Sequence, residues 1–547
     1  MQKKKDIKRL FRLILKHGRP NIYLFMFGIF VSILSTFLSL QIPYRIKSLV
    51  DQMPSVFDLE RLAILLILTL FTSVVSVLTL SIIGARVVRN VRIEVWNRVV
   101  KAKYSDVIQD TGESVASHII NDSELTERLV SEEFPQTLTS VITAIGAGGM
   151  MFWINAKLAM TVFVLLFTLI VIILPFSRKM TGISKNIQYN KANGISTLSR
   201  LKLSNMLFKI NNAQKYASNR GIRSINALYD SDIKQLKYQS LFTPLVNVIL
   251  LLMVFAVIVV GKIEIQNHLL SAGGLTAFFL YLSQEIAPFL QISKLAPSLA
   301  RTVGGSEQLY KYLSYDEEEQ NNKRLSEPIK NIKFEDVCFS YPYNKKIVFD
   351  HLSFEINSPL YISIIGQNGG GKSTILKMLE KLYKPDSGSI YINGNKLNDL
   401  NISSVRDNII YITQHPLFFS GSIMENLTIG QRINESKVWN ALSKVNLEQI
   451  VRQLPLKLET SIEEMSNAFS GGELQRLAIA RLFLQSKNVI FLDEVLSHLD
   501  PENRITIKRN IFQFAKSNRC LVIDITHDQK HLKSSDLVLN LDNLKQS

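Results

Sequence analysis

Six stretches of about 20 apolar residues, all of them before residue 300, constrain this chain more than any other feature. Each is long enough to cross the hydrocarbon core of a bilayer as a helix. They fall at 22–42, 62–84, 134–154, 158–176, 241–260 and 269–292. Residues 1–313 therefore read as an all-α membrane domain. Its connections are uneven. Those after the second and fourth runs are long and basic (Arg86, Arg89, Arg92, Lys101, Lys103; then Arg178, Lys179, Lys185, Lys191, Lys202, Lys209, Lys215), whereas residues 155–157 alone separate the third run from the fourth. Lysine and arginine gather on the cytoplasmic side of membrane proteins, so the N-terminus and both long connections are expected there. The sixth run then returns the chain to the cytoplasm.

Among the 547 residues, 47% are hydrophobic and the formal net charge is +17. A balance this basic points to nucleic acid or to anionic lipid. The cations sit beside apolar runs, which favours lipid and argues against a nucleic-acid partner. Residues 1–19 show the pattern best: Lys3, Lys4, Lys5, Lys8, Arg9, Arg12, Lys16 and Arg19 interleave with Ile7, Leu10, Phe11, Leu13 and Ile14. This reads as an amphipathic helix lying on the cytoplasmic face. It does not read as a cleaved signal, because the next run is of spanning length and no small-residue cleavage site closes it. Cys338 and Cys520 show no pairing or metal spacing and fit a reducing cytosol. In the last run Gln284, Glu285 and Pro288 interrupt the apolar pattern. A carboxylate at membrane depth is costly unless it faces a polar interior. Two readings of Glu285 stay open: contact with a cationic or amphipathic substrate, or a place near the water boundary or beside a lysine.

An acidic, polar stretch at 314–331 marks a boundary, and residues 332–547 alternate like an ordinary α/β domain. Its most informative segment is Gly366-Gln367-Asn368-Gly369-Gly370-Gly371-Lys372-Ser373-Thr374, between the apolar run 360–365 and a helical pattern. Strand, glycine loop and helix are the context in which G-x-x-x-x-G-K-S cradles phosphates: backbone N–H groups turn inward, the lysine meets the β/γ-phosphates and the serine hydroxyl ligates magnesium. Four further stretches carry weaker signals. Asp493 and Glu494 end the apolar run of residues 489–492, where one acid can hold magnesium and the other can orient or deprotonate water. Ser470, Gly471, Gly472 and Glu473 open a helical pattern whose N-terminus can face an anion. Gln414 follows a strand-like run and can reach metal or water, and His527 follows another and can donate to a phosphate. Tyr341 can stack on a base or fill a core.

Together and in this order these stretches resemble the ATP-binding cassette superfamily, and the whole chain resembles a half-size exporter: six helices fused to one P-loop NTPase domain with a helical subdomain. Residues 366–374 match the Walker A loop, Gln414 the Q-loop, residues 469–473 the family signature, residues 489–494 the Walker B strand, residues 497–500 the D-loop, His527 the switch histidine and Tyr341 the adenine-stacking aromatic. Residues 460–464 resemble the X-loop of exporters. The resemblance implies ATP and Mg2+ as cofactors. Lys372, Gln414, Glu494 and His527 are the catalytic set it implies, Ser373, Gln414 and Asp493 the magnesium set, and Tyr341, residues 366–374 and residues 470–473 the nucleotide contacts.

The resemblance also implies a dimer with a second half-transporter, most simply another copy, and ATP hydrolysis that drives export of hydrophobic or amphipathic compounds or small peptides. Its coupling segments are expected near residues 121–128 and 213–220. Lipid flipping is the alternative. A soluble cassette ATPase acting on nucleic acid or ribosomes is opposed by the six apolar runs. The sequence departs from the family in Phe469 and Glu473, where Leu and Gln are usual, and in His498, where Ala is usual.

Overall fold

The computed structural model describes residues 8–52, 55–342, 344–357, 361–463, 469–497, 499–526 and 535–544. The chain forms two compact units: residues 1–97 with 112–314, and residues 98–111 with 315–547.

The first unit is built on six long helices: α1 (Ile22–Asp51), α2 (Val56–Lys101, whose last residues join the second unit), α3 (Phe134–Ile154), α4 (Ala156–Leu203), α5 (Gln214–Gln266) and α6 (Ala272–Leu313). A helix satisfies every backbone N–H and C=O within itself, which is what an apolar segment in lipid requires. Side-chain caps fix three of the starts. The side chain of Asn21 accepts from Leu24 N, that of Asn155 from Leu158 N and that of Ser271 from Gly274 N. Among the described residues, four helical stretches are long and apolar enough to cross a membrane, with Ala156–Thr168 a shorter apolar one.

The long basic connections are helical too. In α2 and α4 the helix runs on from the apolar run, and in α5 it leads into one, because Lys, Arg, Gln and Leu are good helix formers; Pro175 and Pro244 lie inside α4 and α5 without ending them. Short turns around residues 102–111 and 204–213 reverse the chain. α4 packs along α5, while α6 packs along α3 and α1. Met151, Leu158, Val162, Met253, Val257, Phe278 and Tyr281 form the buried centre of the bundle. Ahead of the bundle, Leu10 and Leu13 are buried while Phe11 and Leu15 are exposed, as an amphipathic helix requires.

Glu285 is only 1% exposed, and its Oε2 has no hydrogen-bond partner among the described residues. It is shielded from solvent, and among the described residues no lysine pairs with it. Next to it, Gln284 Nε2 donates to the Ser39 carbonyl at 3.3 Å.

The second unit holds two sheets. β1 (Asn331–Tyr341), β2 (Asn344–Asn357), β4 (Ser387–Ile392) and β5 (Asn395–Lys396) form an antiparallel sheet in the order β2-β1-β4-β5. β3 (Tyr361–Ile365), β6 (Ile409–Ile412), β7 (Val489–Asp493), β8 (Leu521–Ile525) and β9 (Leu537–Asn540) form a five-stranded sheet in the order β6-β7-β8-β3-β9. All its pairings are parallel. Every residue of β7 and β8 is buried. A parallel sheet covered on both faces has that signature, and it explains their unbroken apolar runs. α7 (Lys372–Leu379) follows β3. α8 (Ile423–Thr428), α9 (Glu435–Lys444), α10 (Glu448–Gln453) and α11 (Gly471–Leu484) form a helical part, and α12 (Pro501–Asn518) precedes β8.

The acidic stretch that reads as a linker is bonded along its length. Arg406 clasps Glu318 in a two-point pair at 2.7 and 2.8 Å. Lys384 meets Glu319, Lys103 meets Asp316 and Arg98 meets Glu317 at 2.7, 3.0 and 2.9 Å. Tyr315 donates to Asp110 at 2.5 Å. The two-point pair is the anchor, since bonds to charged groups are worth about 1.5–3 kcal/mol whereas single exposed pairs are worth about 0–1 kcal/mol. These contacts hold residues 98–111 against the nucleotide-binding fold. That corrects one expectation: the segment seated on this unit is 98–111, including the short helix Tyr104–Val107, whereas residues 121–128 belong to the helical unit. The resemblance placed it about twenty residues too late: the helix of the basic connection ends at Lys101 and the chain turns at once.

Candidate nucleotide site

β3 delivers the chain from the buried sheet into residues 366–371, and α7 begins at Lys372. Gly369 has φ +77° and Gly371 φ +94°, backbone that side chains resist. At Gly371 a Cβ would lie 2.6 Å from Phe349 Cε1 and 2.7 Å from Val348 Cγ1, so only glycine lets the loop lie this close to β2. Lys372 folds back over that loop. Its Nζ donates to the carbonyls of Gly366 at 2.9 Å and Gln367 at 3.0 Å. Burial holds the ammonium below the ordinary lysine range, while the carboxylates of Glu494, Asp542 and Asp493 pull it back up. The result is one cation, held by two carbonyls, at the mouth of a loop of backbone N–H groups, which is the donor set a polyphosphate takes.

β7 ends beside it. Ser373 Oγ donates to Asp493 Oδ1 at 2.9 Å, and Tyr411 OH donates to Asp493 Oδ2 at 2.7 Å. Burial, and then the Asp493 charge itself, push the Tyr411 phenol far up, so it stays a donor. A serine hydroxyl and a carboxylate in direct contact are hard oxygen ligands of the kind Mg2+ selects. Glu494 is turned out of the strand at φ +56°, a conformation a glutamate adopts only when its surroundings enforce it. There its Oε2 accepts from Gln414 Nε2 at 2.8 Å. Gln475 Nε2 donates to the Gln414 carbonyl at 3.3 Å, which ties α11 to the same corner.

Tyr341 is half-buried. Its hydroxyl lies 2.9 Å from Thr374 Oγ1 on α7, and its ring meets Tyr383 and Phe339 edge-on at 5.1 Å each. Both readings of this tyrosine, ring stacking and core packing, meet here: it packs on the aromatic cluster and reaches the phosphate loop.

Ser470 caps α11 in a reciprocal box. Its Oγ accepts from Glu473 N at 3.3 Å, and Glu473 Oε2 accepts from Ser470 N at 2.7 Å and from Ser470 Oγ at 2.8 Å. The unusual Glu473 thus sets a negative charge on the serine hydroxyl, with Arg476 3.7 Å away on the other side. Residues 470–473 bond to one another and not to residues 366–374. His527, His498 and Glu464 lie outside the described residues.

Three contributors were not singled out in the sequence. Tyr411 orients Asp493 and Tyr383 braces Tyr341. The Asp542 carboxylate accepts from Gln367 N at 3.0 Å. Tyr411 shows as the one polar position in the otherwise buried strand β6, but nothing local marks Asp542.

Residues 349–497 match the family described as ABC transporter, and residues 25–289 match the ABC transporter transmembrane region. The chain belongs to the ATP-binding cassette transporters. It is a half-size exporter: it resembles the "Multidrug resistance ABC transporter ATP-binding and permease protein" of Lactococcus lactis subsp. lactis, with 29% identity over 95% of this chain and 89% of that protein. It also resembles an "ATP-dependent lipid A-core flippase" of Desulfotalea psychrophila, with 25% identity over 96% of this chain and 92% of that protein. The solved structure of a bacterial Atm1-family ABC exporter with ATP bound shares the fold, with a TM-score of 0.77 at 19% identity over 95% of this chain and 93% of that one. The transporter is a multi-pass membrane protein that binds and hydrolyses ATP, and a half-size exporter acts as a dimer.

Proposed function

We propose that the transporter is a homodimer that exports hydrophobic or amphipathic compounds, including small peptides, by alternating access coupled to ATP hydrolysis. Each ATP lies between residues 366–374 of one copy and residues 470–473 of the other. The observation that carries this reading is that the catalytic corner is assembled within one chain (Ser373 on Asp493, Gln414 on Glu494) while Ser470 makes no bond to that corner. A second copy completes it.

In this arrangement Lys372 and the loop N–H groups hold the β/γ-phosphates, and Ser373, Asp493 and Gln414 would hold Mg2+, which neutralises phosphate charge when bound. Glu494 orients the attacking water and takes its proton; Gln414 keeps that carboxylate in place. His527 contributes a donor to the γ-phosphate. Leu203, Met206, Leu207 and Ile210 are exposed at the turn between α4 and α5, and this apolar tip suits docking on the partner's nucleotide-binding domain. The six apolar runs cross the plasma membrane of a bacterial cell, with the nucleotide-binding unit and the N-terminus in the cytoplasm. Closing the two nucleotide-binding domains on ATP turns the path outward, and hydrolysis resets it.

Lipid flipping is the second reading, favoured by the resemblance to the lipid A-core flippase. ATPase stimulation in proteoliposomes, measured across amphipathic dyes, peptides and lipids, separates the two: stimulation by dyes or peptides supports export, and stimulation by lipids alone supports flipping.

A further inference from the structure

We propose that Cys338 on β1 and Asp350 and His351 on β2 form a binding site for a borderline-soft divalent cation of the Zn2+ class, with Asp336 orienting the histidine. One donor atom from each of the three lies within 4.8 Å of the other two. The site uses none of the nucleotide-binding side chains and does not depend on what the transporter carries.

Two bulges bring these residues together. Val337 pairs with Leu352 and Phe339 with Phe349, so Cys338 alone stands against both Asp350 and His351. In a regular strand, neighbouring residues point to opposite faces. His351 instead has φ +53°, and it shares the exposed face with Asp350 while Phe349 and Leu352 on either side are buried. β1 repeats the device. Phe334 pairs with Phe354, which leaves Glu335 and Asp336 together opposite Ser353, and Asp336 also has φ +53°. Bulges re-aim side chains in this way, and left-handed backbone at two residues other than glycine persists only where the surroundings hold it. Spacing along the chain does not reveal the site, because its ligands sit on different strands and meet only through the shifted register.

A thiol, an imidazole and a carboxylate suit Zn2+, whereas Mg2+ takes oxygen ligands. Asp336 Oδ1 lies 2.5 Å from His351 Nδ1. In the neutral ring Nδ1 then donates, and Nε2 keeps the lone pair that a metal takes. A carboxylate behind a ligating imidazole is how zinc sites fix that tautomer. On the ligand side, Nε2 is 3.8 Å from Asp350 Oδ1, and the backbone N–H of His351 donates to Cys338 Sγ at 3.4 Å. Tetrahedral ligands on zinc stand about 3.3–3.6 Å apart, and the exposed side chains of Asp350 and His351 are free to close the difference. Among the described residues, Asp336 and Asp350 form ion pairs only with His351. Binding releases the Cys338 proton to solvent. The thiolate and the Asp350 carboxylate then neutralise the charge of the ion, and water takes the fourth position.

The test uses the full-length protein without a polyhistidine tag, reduced and free of nucleotide, titrated first with Co2+ as a spectroscopic stand-in and then with Zn2+. One Co2+ per chain should bind with thiolate-to-metal charge transfer, and Zn2+ should displace it. Cys338→Ser should abolish the charge transfer and, like His351→Asn, weaken Zn2+ binding at least tenfold. Asparagine tolerates left-handed backbone, so the second variant keeps the bulge. Asp350→Asn gives the same reading at a residue with ordinary backbone, should either of those variants prove unstable. Asp336→Asn should keep the charge transfer and weaken Zn2+ by about tenfold, and Cys520→Ser should change neither. The site is overturned, leaving an adventitious surface ion only, by any of three results. These are no charge transfer in the wild type, charge transfer that survives Cys338→Ser or vanishes in Cys520→Ser, or Zn2+ affinity unmoved by His351→Asn and Asp350→Asn.

Discussion

The ring of Tyr104 stands edge-on to the ring of Tyr383, with centroids 5.8 Å apart and planes at 87°. Tyr383 meets Tyr341 in the same way at 5.1 Å and 88°, and the Tyr341 hydroxyl touches Thr374 in the first turn of α7. Three contacts thus connect residues 98–111, which continue from α2, with the helix that opens the phosphate site. Such aromatic pairs are worth about 0.5–1.5 kcal/mol beyond the area they bury. Tyr383→Leu keeps the apolar volume but loses both edge contacts. It should raise the KM for ATP by about two- to tenfold and blunt stimulation of ATPase by transported compounds. Unchanged stimulation in that variant would show that the three rings only fill space.

Glu494 and Lys372 separate two failures. Glu494→Gln keeps the bond to Gln414 but removes the base, so hydrolysis should fall by about 10²–10⁴-fold while ATP still binds. Lys372→Ala removes the cation that folds over the loop and should abolish binding of a fluorescent ATP analogue. Turnover at the wild-type rate in Glu494→Gln would take the base role from that residue.

Glu473 allows a test of charge at constant shape. Glutamine also completes the capping box, so Glu473→Gln should leave α11 intact. It removes a negative charge hydrogen-bonded to the Ser470 hydroxyl, where a partner's γ-phosphate is expected. ATP-driven association of the two copies should strengthen several-fold at low salt, and the gain should shrink at high salt as screening grows. A gain that is independent of ionic strength would point to geometry instead of charge.

Burial sets the pH response of the nucleotide-binding unit. The Glu380 carboxyl is pushed up to about 7 by burial, against partial compensation from Arg406 and Lys487. Its folded value therefore lies above its ordinary one of 4.5. The folded state binds the proton more tightly, so its contribution to stability is full below pH 4.5 and is lost as pH rises through 7. Thermal unfolding of wild type and Glu380→Gln, compared from pH 5 to pH 8, should show a midpoint that falls less with pH in the variant. Parallel curves would remove Glu380 from the effect. Asp524, pushed up to about 6 by burial with Tyr361 donating to it, acts in the same direction.

Much of this was legible in the residues. Apolar runs of bilayer length announce helices because lipid leaves the backbone no other way to satisfy itself. The glycine loop and the buried β7 run mark a phosphate site because few other sequences make that turn between a strand and a helix. Less legible was anything set by distant packing. Charge composition made 315–319 look like a linker, since sequence does not show that Arg98, Lys103, Lys384 and Arg406 converge on it. Asp542 meets Gln367 only because β9 runs alongside β3. Glu285 could not be placed between water and interior because a helix of uniform hydropathy does not show its rotation.

The central claim, ATP held between two copies of this chain, is tested most directly by an intermolecular disulfide. Cys338 and Cys520 are the only cysteines, so a background of Cys338→Ser with Cys520→Ser is free of thiols. Ser470→Cys in one copy and Asn368→Cys in the other then report whether signature and phosphate loop meet across the dimer. The account predicts a cross-linked dimer that forms in membranes with ATP and is lost with ADP. Cross-linking that ignores the nucleotide, or none at all in protein that still hydrolyses ATP, would contradict it.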